Sequence, residues 1–419
     1  MTPPGLTPAS GSIGLAAEHF AAALLYLIAG AAGLVWVAPE LAIGNFTSPH
    51  VAGVTHLFTL GWLTVTIFGA LYQLLPVALG APIRSRRLGH ASFALLAPGA
   101  GLFAAGVAAS AAPLHHAGVA LVGAGVLLGV GNVAASLPRA RSRDVTWAAV
   151  LLAITFLTLT LGLGILLLHN LHTGFIAAAR VRVLAIHLHV AVVGWALIMI
   201  VGVSHRLLPM FLLAHGADTR WTRRSLVLLA AGVPLFGTGL ALTSSVISWA
   251  GAALLTGGLG CFLRQVRAFH ARRIRRRLDP GLRYVATATG FLTLSAPLGL
   301  LVLARPFNGR LATAYVVTGL VGGIVLYVTG FLYKIVPLLA WTVHYRGRMG
   351  QGPVPTVADT FSARVAHIQL GLMATGVLLL LGGIALGATA ITRCGVTLFL
   401  GGVLMFAGQL GRVAAGRRR

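Results

Sequence analysis

Long apolar runs separated by short polar segments make up almost the whole chain. A membrane-spanning helix needs about 20 mostly apolar residues, and these runs lack the strict alternation of a membrane β-barrel. We therefore predict an all-α membrane protein with twelve transmembrane helices. The predicted spans are residues 14–37, 51–78, 89–110, 114–137, 145–169, 181–213, 224–244, 246–267, 284–304, 311–340, 363–387 and 389–411.

The composition supports this class and excludes others. Of the 419 residues, 58% are hydrophobic and 9% are charged, whereas about a quarter of an average soluble domain is charged. A soluble enzyme, a disordered chain and a secreted disulfide scaffold are thereby excluded. No Cys-x-x-Cys pair occurs, so the chain offers neither a thiolate zinc site nor c-type haem attachment. The N-terminus lacks a basic n-region, so no cleavable signal peptide is predicted.

The basic residues fall mainly on one side of the predicted topology. Of 31 Arg and Lys residues, five lie on the other side, namely Arg180, Arg182, Arg305, Arg310 and Arg393. The positive-inside rule then puts both termini in the cytoplasm, and the Arg-rich usage points to a bacterial cytoplasmic (inner) membrane. The dense run at 267–277 is interpreted as a topology signal beside lipid headgroups. The lipid bilayer is therefore the expected partner, and nucleic acid is not.

An internal repeat relates three of the spans. The second span, at 55–77, and the sixth, at 188–210, align without a gap at an offset of 133 residues. The tenth is a weaker copy, offset by 128 from the sixth, with Val317 at the position of His189. We predict a single transmembrane domain, 1–419, of three pseudo-symmetric four-helix repeats at about 14–137, 145–267 and 284–411.

Several repeated positions have simple structural interpretations. The glycines, such as Gly61 and Gly194, are typical of close helix packing in membranes. Trp62 and Trp195 match in the alignment and fit either core packing or a wall against a flat cofactor. The aromatic position shared by Tyr72, His205 and Tyr333 is interpreted as an anchor at the inner interface.

Histidines within the spans are the main candidates for chemistry, because an ionisable side chain in a membrane is costly. His56 and His189 occupy equal depths, about 12 Å outward from the middle of their spans. His187, His169 and His172 lie in the same non-cytoplasmic third. His187 and His189 are about 200° apart on one helix and must face different neighbours. Since neutral imidazole is a good axial ligand, the layout predicts one haem between His56 and His189, and a second site at His187 with His169 or His172.

These residues resemble the haem–copper oxidase subunit I superfamily, which has twelve helices, a pseudo-threefold arrangement and cytoplasmic termini. The stretch HLHVAVVGW (187–195), followed by GVSHRLLP (202–209), is similar to the His-x-His helix of the C-type, b-haem oxidases. The resemblance implies that His189 and His56 hold a low-spin haem b. It also implies that His187 is the ligand of a second, active-site haem.

The chain departs from that superfamily at the copper site. The His-x-His helix is the sixth span instead of the tenth, and the seventh span, 224–244, contains no histidine. The usual copper ligands are therefore missing, although copper stays a candidate metal. The six acidic residues fall at span ends or in loops, which leaves no carboxylate path for protons across the membrane. These departures favour a divergent relative, similar to oxidase-like membrane proteins of the nitric-oxide stress response, over an oxygen-reducing pump.

The sequence thus favours a haem-b membrane protein in electron transfer or in nitric oxide or oxygen handling, with a second redox subunit or quinol as its electron partner. Whether it is an enzyme stays open, and no catalytic residue is assigned. One alternative is copper trafficking by His187, His169 and His172 with His50, His115 or His116, although the last two are interpreted as solvated loop residues. Another alternative is a transporter without haem. No site role is assigned to His19, His90, His205, His215, His270, His344 or His367.

Overall fold

The structure is a computed structural model that describes residues 10–214, 216, 218–274 and 277–416. All regular structure in these residues is helical, and they contain no β-strand. Twelve helices are long and apolar enough to cross a membrane, as predicted, so the chain is a multi-pass membrane protein. His215, Arg275 and Arg276, and the basic tail at 417–419, lie outside the described residues.

The twelve spans follow one another through short connections. They are Ile13–Trp36, Pro49–Ala78, Arg86–Ala108, Ala112–Arg139, Val145–Thr173, Ala177–Leu212, Arg220–Ala241, Ser245–Ala271, Pro280–Ala304, Gly309–His344, Ala363–Leu386 and Thr389–Ala414. The first helix begins at Ser10, and a short helix, Ala38–Ile43, follows the first span. Short 3-10 turns occupy Leu137–Arg139, Ala177–Ala179, Arg346–Arg348 and Val357–Thr360.

The chain divides into two compact units. The first comprises Met1–Ala22 and Leu63–Arg276, and the second comprises Ala23–Trp62 and Arg277–Arg419. The third to eighth spans therefore lie in the first unit and the ninth to twelfth spans in the second. The first and second spans each contribute to both units.

Repeated glycines allow each of the three aligned spans to pack closely against the first helix of its own repeat. At these positions an added Cβ would lie 2.3 Å from Tyr26 at Gly61, 2.6 Å from Phe156 at Gly194 and 2.7 Å from Phe291 at Gly322. A large ring therefore occupies the space above each glycine. The prediction that these glycines serve helix packing is confirmed.

An ion pair recurs in the second and third repeats. Asp144 caps the fifth span and pairs with Arg206 on the sixth, and Asp279 caps the ninth span and pairs with Lys334 on the tenth. Arg206 and Lys334 match at the repeat offset of 128, and Gln73 stands at this position in the first copy. Lys334, the only lysine of the chain, thus joins the first two helices of its repeat.

The prediction of interfacial anchors is wrong for both tyrosines. Tyr72 and Tyr333 are 0% and 2% exposed, respectively, so neither ring can lie among lipid headgroups. The hydroxyl of Tyr333 donates to Gln369 Oε1 and accepts from Gln409 Nε2 at 3.0 Å. These partners lie on the eleventh and twelfth spans, so the hydroxyl is satisfied inside the protein.

Candidate cofactor and metal sites

A π-helical segment follows each histidine of the predicted haem pair. His56 ends the helix Pro49–His56 and is followed by the π-helix Leu57–Thr64. His189 ends the helix Arg180–His189 and is followed by the π-helix Val190–Leu197. The two π-helices begin and end at the same offset of 133 residues as the sequence repeat. Although π-helices are rare in proteins, those that occur are often found at functional sites.

The third copy separates the backbone feature from the histidine. Its π-helix, Val317–Val325, begins at the residue that aligns with His189. All three copies therefore share the widened turn, but only two of them place an imidazole at its start. The π-helix is a property of the repeat, and the histidines distinguish the first two copies from the third.

Both imidazoles make the same local hydrogen bond. Nδ1 of His56 donates to the carbonyl oxygen of Ala52 at 2.7 Å, and Nδ1 of His189 donates to that of Ala185 at 2.8 Å. A carbonyl oxygen can only accept, so the proton of each neutral ring is on Nδ1. The lone pair is then on Nε2 in both rings. This tautomer is the one that a metal-ligating histidine presents when its other nitrogen bonds a carbonyl.

The two tryptophans lie in the interior. Trp62 is 0% exposed, and its ring meets Phe406 edge-on at 6.5 Å between centroids. The Trp195 indole lies 5.9 Å from Phe68 and donates from Nε1 to Thr64 Oγ1 at 3.1 Å. Each indole therefore has a packing role, and a role beside a cofactor stays a prediction.

His187 and His189 face different helices, as their angular separation predicts. A Cβ added at Gly164 on the fifth span would lie 3.3 Å from His187 Cε1. The ring of His189 instead lies against Phe236 of the seventh span, with 4.7 Å between centroids. His187 is thus directed at the fifth span, which also carries His169 and His172 near its end.

The described histidines cluster most closely in a different combination from the predicted one. His172 lies with His115 and His116, and one potential ligand nitrogen from each of the three lies within 4.8 Å of the others. We call these three residues the histidine triad. Nε2 of His115 and Nε2 of His172 are 3.1 Å apart. His169 lies one turn earlier on the same helix, and its ring packs on Phe175 at 5.4 Å.

Two helix ends bring the histidine triad together. The helix Ala112–Ser136 places His115 and His116 in its first turns, whereas His172 is in the last turn of Val145–Thr173. Gly174 ends the latter helix in a left-handed conformation with φ 67°, which a glycine adopts without strain. The prediction that His115 and His116 are solvated loop residues is wrong about the loop and, for His115, about the exposure, whereas His116 is exposed as predicted. Both are helical, and His115 is 4% exposed because it packs in the hairpin of the third and fourth spans.

The internal repeat contains a signal for His115 that the sequence analysis missed. The backbone of His115 packs against Gly106, as Ser248 packs against Gly239 and Thr392 against Gly383. In the second and third copies, the hydroxyls of Ser248 and Thr392 bond the carbonyl of the residue four positions earlier. Only the first copy has an imidazole at this hairpin position, and this imidazole meets His116 and His172.

Comparisons with known proteins add no further information about the site. The chain matches no family profile, and no curated protein is significantly similar to it.

Proposed function

We propose that this protein binds haem b in the membrane, with His56 and His189 as the two axial ligands of a low-spin haem, and that it acts in electron transfer or in nitric oxide or oxygen handling. The observation that carries the proposal is the matched pair of imidazoles. Each of them immediately precedes a π-helix at the same repeat position and bonds through Nδ1 to a helix carbonyl. The resemblance to subunit I of the haem–copper oxidases assigns the same two residues.

The residues present fit the ligand chemistry of haem. A neutral imidazole with its lone pair on Nε2 is the usual axial ligand. The carbonyls of Ala52 and Ala185 fix the orientation of each ring and raise the basicity of Nε2. Haem supplies a centre for one-electron transfer, and its potential depends on the axial ligands and on burial. The apolar spans exclude water around the two histidines.

Further parts of the proposal concern the setting. We place the protein in a bacterial inner membrane, with both termini in the cytoplasm, because the basic loops lie on that side. In this orientation His56 and His189 are nearer the outer face. Electrons then come from quinol in the bilayer or from a second redox subunit. His187, which faces the fifth span, is the proposed ligand of a second haem.

Absorption spectra of the purified protein test the haem proposal. We expect a low-spin b-type spectrum with sharp bands after reduction by dithionite, and we expect His56→Ala and His189→Ala each to abolish it. His189→Met should retain a low-spin haem with a higher potential, since methionine–histidine ligation raises it. Haem extraction measures the amount bound.

A matched control lies on the same helix as His56. His50→Ala removes an imidazole that bonds Glu40 at 2.8 Å and packs on Trp36, and we expect it to leave the spectrum unchanged. A colourless protein after expression with added haem would contradict the proposal. So would a spectrum that survives both His56→Ala and His189→Ala.

A further inference from the structure

We propose that the histidine triad, His115, His116 and His172, binds one divalent first-row transition-metal ion, with Cu(II) and Zn(II) as the best-suited ions. The triad lies wholly in the first compact unit and shares no residue with the proposed haem ligands. The site is therefore independent of the haem proposal, and each can fail without the other.

The spacing of the ring nitrogens matches two ligands of one ion. Zinc–imidazole bonds are 2.0–2.1 Å, so two nitrogens on a tetrahedral ion are about 3.3 Å apart. Nε2 of His115 and Nε2 of His172 are 3.1 Å apart. Their ring centroids are 5.2 Å apart, and the His116 ring lies 4.7 and 4.9 Å from the other two. One ion can therefore reach a nitrogen from all three rings after small side-chain rotations.

The buried member of the triad gives a second reason for a ligand. His115 is 4% exposed, and its Nδ1 has no hydrogen-bond partner among the described residues. The contact to His172 is a bond between two imidazoles, which can use only one N–H between them. Burying a polar ring with so few hydrogen-bond partners costs free energy of folding. A metal ion would replace this weak bond by coordination of several rings.

The donor set and the exposure of the site narrow the choice of ion. An all-imidazole site suits Cu and Zn, whereas Mg and Ca prefer oxygen ligands. His116 and His172 are exposed, so the ion can enter from outside the bundle. Three protein ligands leave a fourth position for water or an exchanging ligand. These features differ from those of a closed structural site, in which the protein supplies all four ligands.

Metal titration of the full-length chain, purified with a tag that contains no histidine, tests the proposal. We expect the wild type to bind one equivalent of Zn²⁺ or Cu²⁺, measured by elemental analysis after dialysis. His172→Ala should weaken that binding by about 100-fold or more, the upper range for losing even an indirect partner of a metal ligand. His115→Ser should do the same, and it introduces the residue that the second repeat has at this position.

The control and a spectroscopic measurement separate the possible outcomes. His169→Ala removes an exposed imidazole one turn from His172 and should bind metal as the wild type does. The melting temperature reports whether each variant is folded. The EPR spectrum of the wild type with one equivalent of Cu²⁺ should show coupling to several nitrogens. A spectrum with oxygen ligands alone would overturn the proposal without any variant, as would unchanged binding by folded His115→Ser and His172→Ala.

Discussion

Replacing Gly251 with alanine is expected to lower the apparent melting temperature of the protein by roughly 3–4 °C, which corresponds to about 3 kcal/mol. The added Cβ would lie 2.4 Å from the backbone nitrogen of Phe236 and 2.5 Å from its Cα. Backbone atoms cannot move aside as a side chain can, so the seventh and eighth spans must separate. The ring of Phe236 also lies against His189, so the shift disturbs the surroundings of a proposed haem ligand.

A second glycine on the same helix provides the control. Gly260 is exposed, and an added Cβ there would meet no atom within 4 Å. Gly260→Ala should therefore leave the melting temperature unchanged or raise it slightly, because alanine favours a helix. Thermal unfolding followed by tryptophan fluorescence measures both variants. Equal melting temperatures for Gly251→Ala and Gly260→Ala would show that the close approach of the two helices contributes little to stability.

The close approach recurs in all three repeats, which makes the prediction general. Gly118 and Gly395 match Gly251 in the other hairpins, with an added Cβ 2.3 Å from the Phe103 nitrogen and 2.4 Å from the Leu380 nitrogen. Without a hydrophobic driving force between helices in lipid, backbone proximity of this kind is a principal source of packing energy. The sequence repeat is therefore a repeat of helix contacts as well as of residue types.

The spans were predictable because the bilayer sets a length that the sequence must satisfy. The fifth span was predicted at residues 145–169, and the structure has Val145–Thr173. The four additional residues include His172, which the shorter boundary put beyond the helix. Apolar patterning locates a span well but locates its ends poorly, since the last turn of a helix reaches into polar residues.

The π-helices could not be predicted from apolar periodicity. Residues around Leu57–Thr64 and Val190–Leu197 are apolar on every side, so a change from 3.6 residues per turn leaves no trace in the pattern. The gapless alignment of the two spans was visible, however. It predicts that whatever local geometry one copy adopts, the other adopts at the same offset.

From the sequence, the three residues of the histidine triad are predicted only as part of a larger set of candidate copper ligands. His115 and His172 belong to neighbouring helices, and their meeting depends on how the fourth and fifth spans pack. The predicted second site instead combines His187 with His169 or His172. At the hairpin position of His115, the other two repeats have small hydroxyl residues, Ser248 and Thr392. A position at which one repeat differs from the others is therefore a signal for a site that only that repeat contains.

The positive-inside rule predicts on which side of the membrane the charged residues lie, but it does not predict which of them form pairs. The ion pair of Asp144 with Arg206 and that of Asp279 with Lys334 stand at one repeat position. Each joins the start of one helix to the closing part of the next. The aspartate has two tasks, since it also accepts hydrogen bonds from backbone N–H groups in the first turn of the helix it caps.

Asp279→Ala is accordingly expected to destabilise the protein by about 3 kcal/mol, of which about 1 kcal/mol is the lost helix cap and about 2 kcal/mol the lost ion pair with Lys334. Lys334 and Asp279 are 18% and 24% exposed in their side chains, so solvent replaces only part of the lost interaction. Lys334→Gln introduces the residue of the first repeat, Gln73, and leaves the cap intact. We expect Lys334→Gln to lower the free energy of unfolding by about 1 kcal/mol.

A double-mutant cycle distinguishes pairing from capping. If the ion pair matters, Asp279→Ala combined with Lys334→Gln should cost less than the sum of the two single changes, because removing one partner already removes the interaction. Thermal unfolding of the four proteins measures the difference. Strict additivity of the two destabilisations would mean that Asp279 acts through its helix cap alone. Because the two ion pairs occupy one position of the repeat, the same cycle on Asp144 and Arg206 would then be expected to show no coupling either.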